Sequence, residues 1–131
     1  MDTVITGLLI LCILPIACSW VAGYYRQQQL GRVDNKEPRG QWRQLSGAGA
    51  RAVAAQGNSW EALAVFSAAV LALFMSGVNL NGVSTLVMVL VALRIAYIPA
   101  YIANADKLRS LIFIGSYGIC MYFFYLALSA N

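Results

Sequence analysis

The stretch "RAVAAQGNSWEALAVFSAAVLALFMSG", from Arg51 to Gly77, decides how the chain folds. Its second half is almost entirely apolar, whereas an arginine, an asparagine and a glutamate stand in its first half. A helix that crosses the hydrocarbon core of a bilayer, about 30 Å thick, needs roughly 20 mostly apolar residues. The stretch is therefore predicted to be a membrane-spanning helix with polar groups near one of its ends.

The composition of the whole chain also indicates a membrane protein. Of the 131 residues, 60% are apolar and only 11% are charged, whereas soluble domains carry about 25% charged residues. So few charges cannot cover a surface exposed to water. The sequence has no histidine, and its three cysteines, Cys12, Cys18 and Cys120, are scattered singly. Histidine-based metal sites and catalytic triads are thus excluded, and no cysteine pair has a zinc or redox spacing.

Four segments are long and apolar enough to cross a membrane. The first lacks the basic start of a signal peptide, so it is interpreted as a retained span. Short connections between the others predict an all-α protein with one domain over residues 1–131, an integral membrane four-helix bundle. The predicted spans are about Val4 to Tyr25, Ala48 to Met75, Val83 to Ala103, and Leu108 to Ala130.

The charges of the connections predict the orientation in the membrane. The second connection, "SGVNLNG", is uncharged. Cytoplasmic loops carry an excess of lysine and arginine, so we expect the first and third connections in the cytoplasm and both termini on the other side, in a bacterial inner membrane. The net charge of +4 is read in this way and not as a nucleic-acid signal. The cations are Arg26, Arg32, Lys36, Arg39 and Arg43 in the first connection, and Lys107 and Arg109 in the third.

Polar side chains follow one stripe of the second span. Arg51, Asn58 and Glu61 are separated by seven and by three residues, and at about 100° per residue they fall within a quarter-turn of the helix. Ionisable groups at membrane depth normally face the interior of a bundle and find partners there. We therefore expect this stripe to face the other helices.

The third span offers a matching face. Arg94, Tyr97 and Tyr101 are spaced three and four apart, and Arg94 would lie at nearly the depth of Glu61. Opposite charges at one depth are expected to pair, because either alone is costly in a low dielectric. Two interpretations remain open: a cleft towards the cytoplasm that draws in an anionic ligand, or a buried ion pair with Asn58 and the tyrosines as hydrogen bonds between helices.

These residues resemble the MAPEG family, the membrane-associated proteins in eicosanoid and glutathione metabolism. The resemblance covers nearly the whole chain: four spans, a long basic first loop, "RAVAAQGNSWEA", and "RIAYIPAYIANADKLRS". It implies a homotrimer in the lipid bilayer with glutathione bound between subunits, near the cytoplasmic side. It also implies lipophilic small molecules as substrates.

The resemblance implies a role for each matching side chain. Arg109 resembles the arginine proposed to lower the pKa of the glutathione thiol, because a cation near sulfur favours the thiolate nucleophile. Arg51 matches a more N-terminal arginine of the family. The side chains that would bind glutathione are Arg51, Asn58, Glu61, Arg94, Tyr97 and Tyr101.

One position departs from the family pattern. Catalytic members usually carry an arginine four residues before the asparagine, where this chain has Ala54. Losing such a carboxylate anchor costs on the order of 2 kcal/mol. The sequence therefore supports two functions: a glutathione-dependent transferase or peroxidase acting on lipophilic electrophiles, or a non-catalytic membrane protein that binds lipid or serves a partner protein.

Overall fold

The computed structural model describes residues 1–130, and within them the chain is all-α. Four long helices are apolar enough to cross a membrane, as the sequence predicts. A short helix lies in the first loop, and one 3-10 turn, Leu80–Val83, precedes the third span. The α-helices are α1 (Asp2–Leu30), α2 (Pro38–Gln44), α3 (Gly47–Met75), α4 (Ser84–Ile102) and α5 (Asp106–Ser129).

Two features of the first loop differ from the prediction. Helix α1 continues five residues past the predicted end at Tyr25, because nothing breaks it before Gly31, which has φ 76° and so ends the helix in the left-handed conformation. Helix α2 was not predicted. It begins at Pro38, a residue suited to the first helical position because its fixed φ is already helical.

The apolar core lies between α1, α3, α4 and α5, towards the end of the bundle that is far from α2. Phe66 of α3 and Phe123 of α5 are fully buried, and their ring centroids are 6.5 Å apart. A smaller cluster of Tyr97, Ala100 and Ile112 joins α4 to α5 nearer the other end. The polar side chains of α3 and α4 lie beside this second cluster.

Small residues let α1 approach its neighbours closely. A Cβ added to Gly7 would lie 2.8 Å from Cγ1 of Val87 in α4. A Cβ added to Gly49 would lie 3.0 Å from Cβ of Tyr25. Membrane helices lack a hydrophobic drive to associate, so close backbone packing of this kind stabilises their contacts.

Hydrogen bonds hold the first loop against the ends of α1 and α3. The side chain of Gln41 accepts a bond from Arg26 Nη1 at 3.3 Å and from the backbone amide of Asp34 at 2.9 Å. Gln29 donates to the carbonyl of Ser46 at 3.1 Å and accepts from the amide of Ser46 at 3.0 Å. The basic loop is thus folded back onto the bundle.

Large apolar side chains cover the outside of the four long helices. Trp20 of α1 is 73% exposed, and Trp60 of α3 is exposed as well. Such a surface suits contact with lipid or with another membrane subunit, and the helices satisfy their own backbone hydrogen bonds. Further exposed side chains are Leu9, Leu71, Phe74, Ile114 and Leu128.

Candidate functional site

A cleft of about 600 Å³ opens between α3, α4 and α5. We call it the outer cleft. It brings together most of the side chains that the sequence singled out. Asn58 and Glu61 of α3, Tyr97 and Tyr101 of α4, and Arg109 of α5 all line it.

The backbone explains why side chains from three helices meet there. The connection between α4 and α5 is only three residues long, and Asn104 in it has φ 62°, a left-handed conformation that asparagine tolerates better than most residues. The chain therefore reverses at once. Arg109, in the first turn of α5, is placed beside Tyr101 near the end of α4.

Two tyrosine rings of α4 lie between two arginines. Cζ of Arg94 lies 4.3 Å from the centroid of the Tyr97 ring, and Tyr97 meets Tyr101 edge to face with centroids 5.5 Å apart. Cζ of Arg109 then lies 4.3 Å from the centroid of the Tyr101 ring. A cation–π contact is worth about 0.5–2 kcal/mol, the most where water is excluded. Both guanidinium groups are therefore held in position by tyrosines.

A hydrogen-bonded relay joins α3 to α4. Arg94 is 2% exposed, and its Nη2 donates to Oδ1 of Asn58 at 2.6 Å. Nδ2 of Asn58 in turn donates to Oε2 of Glu61 at 3.5 Å. Asn58 thus connects a buried cation to an exposed carboxylate.

The predicted direct ion pair between Glu61 and Arg94 is wrong. The ion pair formed within residues 1–130 is Arg32 with Asp34. Asn58 stands one helical turn before Glu61, and its amide occupies the position next to the guanidinium. Arg94 instead places its charge against an amide oxygen and the face of Tyr97.

Arg51 does not join the outer cleft. Its Nε donates to the carbonyl of Ile102 at 2.8 Å, at the end of α4, where the last carbonyls of a helix lack partners within the helix. Arg51 therefore ties α3 to the end of α4. Ala54 does line the cleft, so no cationic side chain projects from that turn of α3.

The outer cleft also has lining residues that the sequence did not single out. Gly57 of α3 and Ser110, Phe113 and Ile114 of α5 belong to it. Phe113 lies four residues after Arg109, one turn along the same helix face, so helical spacing was the available signal. Its residue type gave no signal, because a phenylalanine in an apolar span is equally suited to contact with lipid.

A second cavity of about 170 Å³ adjoins the outer cleft deeper in the bundle. We call it the inner pocket. Asn58, Glu61 and Phe113 line both spaces, and Arg94 lies at the inner pocket. Its other walls are mainly apolar: Ala62, Val65, Leu90, Tyr117 and Cys120.

The described part of the chain contains no group of histidine, cysteine, aspartate or glutamate side chains that could hold a metal ion. The cleft chemistry rests on guanidinium, carboxylate, amide and phenol groups.

Comparison with known proteins gives one match. The family model described as MAPEG family matches residues 3–129, a range that includes the four long helices except the first residue of α1 and every residue that lines the outer cleft. No curated protein and no solved structure matches the chain significantly.

Proposed function

Because the chain belongs to the MAPEG family, we propose that the outer cleft binds glutathione and that the protein is a glutathione-dependent transferase or peroxidase for lipophilic electrophiles. The chain is an integral membrane protein with four membrane-spanning helices. One observation carries the proposal: Asn58, Glu61, Tyr97, Tyr101 and Arg109 line a single cleft.

The cleft suits glutathione in size and in the kinds of groups it offers. Its volume of about 600 Å³ falls within the ~300–1,000 Å³ typical of small-molecule sites. Glutathione carries an ammonium, two carboxylates, two amides and a thiol. Glu61 can accept from the ammonium, Arg109 can face an anionic group, and Asn58 and the tyrosine hydroxyls can bond the amides.

Arg109 would supply the charge that activates the thiol. A bound glutathione contributes a sulfur that reacts as the thiolate, and a nearby guanidinium favours that ionised form. The ring of Tyr101 holds the guanidinium of Arg109 in place, so the guanidinium does not have to reorient during the reaction. The apolar outer surface gives lipophilic molecules access from the bilayer.

We propose a homotrimer, because the outer cleft is open on one side and a neighbouring subunit would cover it. The proposal also places the end that carries α2 in the cytoplasm of a bacterial cell, with both termini across the inner membrane. Loops rich in lysine and arginine stay on the cytoplasmic side.

A second function is favoured by the cations of the cleft. Among the described residues that line the outer cleft, Arg109 is the only cation. Glutathione has two carboxylates, so one of them would lack a cationic partner. Ala54 offers no charge, and Arg51 is bonded to the end of α4. A non-catalytic membrane protein that binds lipid or serves a partner protein fits these observations.

Calorimetry of glutathione into the protein purified in detergent tests the proposal. We expect saturable heat at millimolar glutathione and a new ultraviolet absorbance from the thiolate. The absorbance should be lost in Arg109→Ala and retained in the matched control Lys107→Ala, whose exposed cation lies outside the cleft. Glu61→Gln should weaken binding. Absence of heat in the wild type would contradict the enzyme function and favour the non-catalytic one.

A further inference from the structure

We infer that the inner pocket binds the single aromatic ring of a small lipophilic substrate, within one subunit and beside the glutathione cleft. The inference rests on the proposed function for its chemistry but on the geometry of the pocket for its location. It names a substrate class, monocyclic aryl compounds with the reactive carbon on a side chain. Ala62 of α3 and Cys120 of α5, which both line the pocket, set the size limit.

The size of the pocket favours one ring. The volume is about 170 Å³, and an apolar cavity of about 150 Å³ in a protein core stays dry and binds benzene. A six-membered ring with a small substituent therefore fits. A fused pair of rings or a long acyl chain would extend beyond this space.

The walls favour an apolar group without charge. Leu90 is almost fully buried, and it forms a mainly apolar surface with Val65, Ala62 and Phe113. The polar residues of the lining are Asn58, Glu61, Arg94 and Ser116. Burying a charged group there would be costly, because the side chain of Asn58 already bonds both charged groups at the pocket, Arg94 and Glu61. An aromatic ring carries no charge, so its burial has no such cost, and it gains contacts with Phe113 and its neighbours.

The connection to the outer cleft orients the ligand. Asn58, Glu61 and Phe113 line both spaces, so a substituent on a bound ring would point from the inner pocket into the polar cleft. A benzylic carbon at that boundary would lie on the side where Arg109 favours a thiolate. The sulfur–carbon bond would form there while the carbon–halogen bond of a benzyl halide breaks, and the halide leaves with the bonding electron pair.

A lipophilic ligand would enter the inner pocket from the bilayer on the side of α5. Phe113 and Tyr117 are both exposed on the outer surface and stack with ring centroids 5.8 Å apart. They stand at the edge of the pocket, whereas Cys120, 4% exposed, lies further inside. A ring that enters from lipid would pass the aromatic pair before reaching the cysteine.

A thermal-shift experiment with iodobenzene, in the absence of glutathione, tests the pocket. We expect iodobenzene at about ten times its Kd to raise the Tm of the wild type by about 5 °C, on the scale of soluble domains. Ala62→Leu fills the pocket and should abolish the shift. The matched control Ala64→Leu, on the exposed side of the same helix, should keep it. No shift in the wild type, or an equal shift in Ala62→Leu, would overturn the inference.

A second variant and a crystallographic measurement of where iodobenzene binds test the inference even if Ala62→Leu does not fold. If Ala62→Leu gives no folded protein by circular dichroism, Cys120→Met fills the pocket from α5 and should also abolish the shift. The anomalous signal of iodine in soaked crystals should lie between Ala62 and Cys120. Iodine elsewhere, a detergent chain in the pocket, or an equal Tm rise with 1-iodonaphthalene would contradict the inference.

The two proposals fail in different ways. Iodobenzene binding without glutathione heat would leave the inner pocket standing and contradict the proposed function. Glutathione heat and thiolate absorbance without iodobenzene binding would support the proposed function and contradict the ring site.

Discussion

Both polar atoms of the Asn58 side chain are engaged, one by a cation and the other by a carboxylate. Arg94 depends on this amide. In the described chain its Nε is buried without a hydrogen-bond partner, and its other contacts are a bond from Nη2 to the backbone carbonyl of Asn58 at 3.4 Å and the face of Tyr97. Removing one partner of a buried charge leaves that charge uncompensated. The stability of the polar layer therefore depends on Asn58 more than on Glu61.

Asn58→Leu is expected to destabilise the protein by about 1.5–3 kcal/mol, the usual scale for a hydrogen bond to a charged group. Asn58→Asp keeps the acceptor for Arg94 and adds an opposite charge, so it should be less destabilising than the leucine variant. Thermal unfolding in detergent measures both. Equal Tm values for Asn58→Leu and the wild type would show that the relay does not stabilise the fold.

Ala54→Arg should tighten glutathione binding, because it adds a second cation to a cleft in which Arg109 faces a ligand with two carboxylates. A bond to a charged group is worth about 1.5–3 kcal/mol, which corresponds to an affinity gain of roughly 10- to 150-fold. Calorimetry measures the change. Val53→Arg, one residue earlier and outside the cleft, is the matched control. A gain shared by both variants would indicate a general charge effect.

At the site, helical spacing predicted that Asn58 and Glu61 share one face and that Tyr97 and Tyr101 share another, and these four line the outer cleft. Arg109 also lines it, but it was expected only from the resemblance to the family. Spacing could not predict contacts to the backbone. Arg51 bonds the carbonyl of Ile102, and a carbonyl leaves no mark in a pattern of side chains. The intervening amide of Asn58 was missed for a related reason, since depth alone does not say which of two neighbouring groups touches Arg94.

At the scale of the helices, the four spans were predictable because a membrane helix must be apolar along about 20 residues. Helix α2 was not, because its seven residues, "PRGQWRQ", are too few to show an apolar period. It forms where Gln41 bonds Arg26 and the backbone of the loop. That partner is supplied by the tertiary structure.

Packing between helices predicts opposite effects for one substitution at two sites. Gly7→Ala brings a Cβ to 2.8 Å from Val87, and overpacking of this kind typically costs 1–3 kcal/mol. Gly118→Ala on α5 meets nothing within 4 Å and should be neutral or stabilising by up to about 1 kcal/mol, because alanine favours a helix. The difference in Tm between the two variants checks this. A Gly7→Ala variant as stable as Gly118→Ala would contradict the close contact of α1 with α4.

At the scale of the whole molecule, charge is concentrated at one end of the bundle. The last turns of α1, the first loop with α2, and the first turn of α5 lie at that end and carry most of the cations. The opposite end holds the uncharged connection between α3 and α4, against which Met1 lies. Such an asymmetry orients membrane proteins during insertion.

A cysteine placed at Asn35, in a background without Cys12, should react with membrane-impermeant maleimide only after the cells are opened. Asn81→Cys, in the uncharged connection, should react in intact cells whose outer membrane is permeabilised. The pair measures the orientation in one experiment. Labelling in the reverse order would place the outer cleft at the opposite side of the membrane.

The three tryptophans stand at three different heights along the bundle. Trp42 lies in the loop helix α2, Trp20 about 15 Å before the end of α1, and Trp60 about 20 Å from the start of α3, at 1.5 Å per residue. Because Trp20 and Trp60 point outwards, their fluorescence should be quenched by lipids brominated at matching positions of the acyl chain. Trp20 and Trp60 therefore report the depth of α1 and α3 in the bilayer. A tryptophan that none of these lipids quenches would not contact the acyl chains, as expected of a face that another subunit covers.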